Sequence, residues 1–195
     1  MIKKSFFRTI LITGLMVATV QTTFAQKTVD ELKTEQDQLK TEWNSPNAQQ
    51  RKEKLAKLQA PGEVKVESVD KLAVGSSKLL VSTTSFNETV PEMYKRTIGE
   101  TIDGVTDVTV KKPTLDELIQ LAAEIAGTIS GANDAQNAVQ KASDDVKSMN
   151  KLQAPKAMKS LNYSKDVLSL VLPELQLDAK VVANLIEDLK TSENL

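Results

Sequence analysis

Carboxylates, lysines, hydroxyls and two tyrosines carry whatever reactive chemistry this 195-residue chain has, because it contains neither histidine nor cysteine. Without imidazole the usual general base near neutral pH and the commonest metal ligand are gone. Without thiols there is no cysteine nucleophile, no thiolate zinc site and no iron–sulfur cluster. The 26 acidic residues are numerous enough to offer the carboxylate pair of a glycoside hydrolase. Most, however, stand at helix starts or beside lysines, which is the pattern of a solvated helix face. Glu100, Asp103 and Asp107 cluster in a turn-like stretch but lack the alternating oxygen ligands of an EF-hand. No glycine-rich loop leads into a Lys-Ser or Lys-Thr pair, so no phosphate cradle is visible. The expectation is a protein that is not an enzyme, with no catalytic, metal or cofactor-binding residues and no cofactor.

Recognition is a better prospect than reaction. Trp43 is the sole tryptophan, placed between the first two helical segments. It reads first as a core or staple residue and second as an exposed anchor for a partner. Tyr94 is the other candidate contact, while Tyr163 reads as an amphipathic boundary residue.

The elements that must position these residues are helical. Thr28 with Glu31, and Thr114 with Glu117, form capping boxes in which hydroxyl and carboxylate satisfy each other's backbone amides. Ser45 precedes Pro46 as an N-cap with proline at the first helical position. Asp178 is expected to cap the last helix, because Pro173 should break or kink what precedes it. Gly75 and the serines after it weaken the helix begun near Val66, and Thr89 with Glu92 suggests a fresh start. The sequence "SGAND" at 130–134 reads as another interruption. Residues 99–113 are the least helical, with Asp103 and Gly104 as a turn signal that favours a connector and, second, a short β-hairpin. The fold class that follows is all-α: an elongated bundle of six to seven helices.

A repeat is also visible. "TVDEL" at 28–32 returns as "TLDEL" at 114–118, and "KLQAP" at 57–61 returns at 151–155. The offsets, 86 and 94 residues, differ by about two helical turns. The pattern predicts two related helix-hairpin units, 28–98 and 114–192, with Pro61 and Pro155 as the corners where each second helix stops.

The first 25 residues have the three parts of a secretory signal. Lys3, Lys4 and Arg8 precede an apolar run over 10–20, and Thr23 to Ala25 offers a small-residue cleavage site. The apolar run is shorter than the roughly 20 residues that span a bilayer. With no cysteine there is no lipoprotein anchor, so the expected product is a single soluble domain, 26–195, in a bacterial periplasm or medium. Losing residues 1–25 removes three basic and no acidic residues and leaves 22 against 26, a formal charge of −4. That balance lacks the basic footprint of a nucleic-acid binder. The reading is a non-catalytic helical binding or structural protein that meets a protein partner or itself, as a self-associating or chaperone-like interaction module. The alternative is a membrane-active or lipid-binding protein in which 118–132 enters a bilayer, which Glu124 opposes.

Overall fold

A computed structural model describes residues 27–102, 105–107 and 111–193, so the leader and its cleavage site lie outside the described residues. The chain forms α1 (Val29–Trp43), α2 (Pro46–Lys57), α3 (Glu67–Ile98), strands β1 (Glu100–Ile102) and β2 (Val105–Asp107), α4 (Leu115–Ser148) and α5 (Ala154–Glu193). The fold is all-α, a helical bundle, with that one small hairpin. Among the described residues no helix is long and apolar enough to cross a membrane.

The local start signals form as their chemistry dictates. Thr28 Oγ1 accepts from the Glu31 amide at 3.3 Å while Glu31 Oε2 accepts from the Thr28 amide at 2.8 Å. Thr114 and Glu117 repeat the exchange at 3.2 and 2.6 Å. Those bonds, the backbone one first, hold the Glu31 and Glu117 carboxyls below their ordinary values. Ser45 Oγ accepts from the Ala48 amide at 3.3 Å, with Pro46 opening α2. Gly99, at φ 80°, lets the chain leave α3, and its amide closes on Lys95 O at 2.9 Å.

Five helices stand where the sequence predicts six to seven, because each expected break is overridden by burial. Gly75 lies inside α3, flanked by buried Leu72, Ala73, Ser76 and Leu79. Threonines along α3 return their hydroxyls to the helix: Thr84 to Leu80 O at 2.9 Å and Thr97 to Met93 O at 2.7 Å. Thr89 is not a cap; it bonds Ser85 O at 3.0 Å, and Pro91 sits within the same helix. The "SGAND" stretch is continuous helix, with Ala132 buried and a Cβ at Gly131 lying 3.7 Å from Leu79 of α3. Pro173 likewise lies inside α5 between the buried residues Val171 and Glu174. The prediction for Asp178 is therefore corrected: it caps nothing, and is a buried residue deep within α5.

Side-chain ties set the helix directions. Ser68 bonds Asp145, Arg96 reaches Glu117, and Ser77 lies 3.0 Å from Tyr163. So α3 and α4 are antiparallel, and α5 runs alongside α3. Helices of 32, 34 and 40 residues make this three-helix core about 50–60 Å long at 1.5 Å per residue. Its interior is mainly apolar, with Val69, Ile125, Val146, Leu161 and Leu175 fully or almost fully buried and the hydroxyl residues Ser76, Thr83, Ser160 and Ser164 among them. The α1–α2 hairpin is laid on α5.

The two predicted hairpin units differ. Residues 28–61 fold as two helices around a turn at Asn44 and Ser45, whereas 115–148 is one unbroken helix. "KLQAP" follows α2 in its first copy and opens α5 in its second, where Pro155 occupies the first turn. Pro61 is thus a connector residue and Pro155 a helix-start residue. Both lie at the same end of the bundle, where Lys156 Nζ donates to Glu63 O at 2.8 Å. Residues 100–107 form the hairpin that the sequence held as a second option: Glu100 pairs with Asp107 and Ile102 with Val105. Asp103 and Gly104, the predicted turn residues, lie outside the described residues.

Candidate functional site

The spacing of Leu32, Gln36, Leu39 and Trp43 turns one face of α1 inward, and Ala48 and Leu55 do the same for α2. That geometry brings the two predicted contact residues together. Trp43 and Tyr94 meet edge to face with ring centroids 6.1 Å apart and planes at 71°, the arrangement favoured by aromatic quadrupoles. Each is only 7% exposed. They form the base of a cleft rather than a protruding anchor.

The cleft lies between α1 and the C-terminal part of α3 and has a volume of about 700 Å³. Val29, Pro91 and Ile98 add apolar wall to the two aromatic rings. Lys33, Lys40, Lys52 and Lys95 line it as well, against the carboxylates of Asp37 and Asp188. Lys52 comes from α2 and places Nζ 4.9 Å from the centre of the Trp43 ring, within cation–π range. Burial pulls Lys52 below the ordinary lysine value, against the attraction of Glu174 and Asp178. Burial also raises the Tyr94 phenol, with Asp37 adding to it. Tyr94 is therefore a neutral wall at physiological pH.

Behind Lys52 lies a feature that the sequence reading missed. Glu174 and Asp178 stand one turn apart on α5, 0% and 1% exposed. Glu174 Oε1 accepts from Arg51 Nε of α2 at 2.5 Å, across 123 residues of sequence. Glu174 Oε2 and both Asp178 oxygens have no hydrogen-bond partner in the protein. Burial, then the neighbouring Glu174, pushes the Asp178 carboxyl up to about 7, with Lys52 opposing. The available signal was the pair of acids at i and i+4 inside a run of leucines and valines. Further along α5, Asn184 Nδ2 donates to Leu32 O at 3.3 Å and to Glu35 Oε2 at 2.7 Å. Lys27 Nζ bridges Glu35 at 2.8 Å and Glu187 at 3.3 Å.

A second hollow, of about 1030 Å³, runs between the connector at Pro61 and the outer face of α3. Val74 and Val81 face it, 57% and 70% exposed. It is more apolar and carries neither predicted contact residue. Among the described residues no group of three or more acidic side chains is gathered so as to hold a metal ion.

Asp178 does not line the cleft, so a molecule lodged there does not reach its carboxyl. No family model matches the chain, and neither a curated protein nor a solved structure shows significant similarity to it.

Proposed function

We propose that this chain is a non-catalytic binding protein working outside the cytoplasm, and that a protein partner docks in the cleft between α1 and α3. The observation that carries this reading is the convergence of Trp43, Tyr94 and Lys52 from three different helices onto one concave site. Aromatic and cationic side chains are the types that dominate binding energy at protein interfaces, and a cleft of this size fits one or two side chains. Four lysines against two carboxylates select a partner segment that pairs an apolar side chain with acidic neighbours. Export rests on the tripartite leader of the sequence. Self-association and chaperone-like holding of exported clients are versions of the same reading, differing only in where the acidic segment comes from.

The membrane reading has less support. Leu118, Leu121, Ile125 and Ala132, through which 118–132 would enter a bilayer, are buried in the bundle. Release of that segment would take the core apart.

The test is calorimetric titration of the mature chain with short peptides carrying one leucine or phenylalanine and a graded number of glutamates. Affinity should rise with each glutamate and collapse in the double variant Lys33→Glu, Lys40→Glu, whose melting should be unchanged because both lysines are exposed. Affinity that ignores the glutamates, or survives the charge reversal, would remove the cleft as the site. Light scattering on the same variants reads the self-associating version directly.

A further inference from the structure

We infer that the α1–α2 hairpin is a proton-operated flap on α5, with Lys52 as its moving part: it lies on Trp43 while Asp178 is protonated and swings to Asp178 when that carboxyl ionises. The inference concerns the chain alone and stands whether or not the cleft holds a partner.

Three observations of geometry carry it. First, Asp178 is buried one turn from Glu174, to which Arg51 of the hairpin is bonded, and neither of its oxygens has a hydrogen-bond partner. A buried carboxylate in that state is expensive, whereas a protonated one is far less so and can offer its proton to the free Oε2 of Glu174 one turn away. Second, the nearest cation is committed elsewhere. Arg51 is bonded to Glu174, and Lys52 rests over an indole ring rather than on the acid. Third, Lys52 directly follows Arg51, whose guanidinium bonds Glu174 one turn from Asp178, so the backbone that carries the flexible lysine stem lies beside both acids and a rotation of that stem can carry the ammonium from ring to carboxylate.

The surroundings leave few other titrating groups. From α5 itself Asp178 faces Glu174, and from α2 it faces Lys52, while Arg51 is held on Glu174. The inward face of α1 offers neutral Gln36 and Trp43, whose Nε2 and Nε1 are also without partners. Tyr94 of α3 is neutral because burial raises it, and the buried residues of α4 are all apolar. In the released hairpin Asp178 is solvated and ionises near the ordinary value of 3.8; in the docked one it ionises near 7. Docking is therefore fullest in acid, weakens as pH rises between those values, and levels off above the higher one. Over that window one proton's difference moves the opening constant by about tenfold per pH unit.

Trp43 makes the flap observable. It is the only indole in a chain without histidine, so a fluorescence change near neutral pH has few other sources. The experiment is an emission titration of the mature chain from pH 4.5 to 9, beside Asp178→Asn and Lys52→Met. The wild type should show one sigmoidal step with a midpoint near 7, as the ammonium leaves the ring. Both variants should lose the step, Asp178→Asn because nothing ionises and Lys52→Met because nothing moves. Amide exchange corrected for intrinsic rates, in the wild type alone, supplies a second reading. Opening of α1 and α2 should rise about fiftyfold between pH 5 and pH 7 with α4 unchanged, and the rise should vanish in Asp178→Asn but persist in Lys52→Met. A fluorescence step that survives Asp178→Asn, or equal protection of α1 and α2 at the two pH values, overturns the flap.

Discussion

The three-helix core and the α1–α2 hairpin are both held by burial, but what each buries is different. Between α3, α4 and α5 the fully buried side chains are chiefly leucine, isoleucine and valine, and the polar ones among them, Ser76, Thr83, Ser160 and Ser164, are uncharged hydroxyls, three of them also without partners. Under the hairpin lie Glu174, Asp178, Gln36 and Asn184, several with polar atoms that lack partners. An apolar core is insensitive to pH and salt. A seam with a buried acid pair depends on protonation and on two cations arriving from another helix. The contrast separates a permanent frame from a conditional attachment.

The largest expected effect is the pH dependence of the seam. Asp178 has its folded value raised to about 7 from 3.8, so its contribution is complete in acid and lost as pH rises through that window. The swing is roughly 4 kcal/mol at full expression. The capping carboxyls Glu31 and Glu117 act with the opposite sign: their values are lowered on folding, so their support disappears as pH falls below the ordinary glutamate value. Denaturant melts across pH should therefore find greatest stability at about pH 4, and Asp178→Asn should flatten the alkaline side only.

Next in size is Ile125→Ala, which opens a cavity in the apolar frame. It should cost about 3 kcal/mol, equally at pH 5 and pH 8, and lower the melting of the whole molecule. Arg51→Met leaves Glu174 buried with its ion-pair partner gone. Because Arg51 keeps some solvent contact, the cost should be about 2 kcal/mol, confined to the exchange protection of α1 and α2. An equal loss across α4 would erase the distinction between the two regions. The smallest pair sharpens it further. Thr114→Ala and Thr28→Ala each remove a capping box worth about 1 kcal/mol, but the first should be felt throughout the bundle and the second only in the hairpin.

What could be read in the sequence follows the same division by range. Thr28, Ser45 and Thr114 act on amides three residues away, so their roles as caps were legible from neighbours alone. Asp178 looked like another cap because Pro173 precedes it, yet α5 runs through both. Helix continuity across a proline, or across Gly75, is decided by what the far helices bury against it, and no window of neighbouring residues contains that. The meeting of Trp43 with Tyr94 was not legible as a contact. Their separate selection as candidate contacts rested on residue type alone, which needs no knowledge of what lies nearby. The buried acids were hidden for a further reason: the cation that explains Glu174 lies 123 residues away on α2.

Native-state hydrogen exchange in low denaturant at a fixed pH of 7 tests most directly whether frame and flap are separate units. Amides of α1 and α2 should open together in a subglobal event, well below the free energy at which α3, α4 and the middle of α5 exchange. If the amides of α1 and α2 instead merge with those of α4 in a single global unfolding isotherm, the hairpin is part of the frame and the account is wrong.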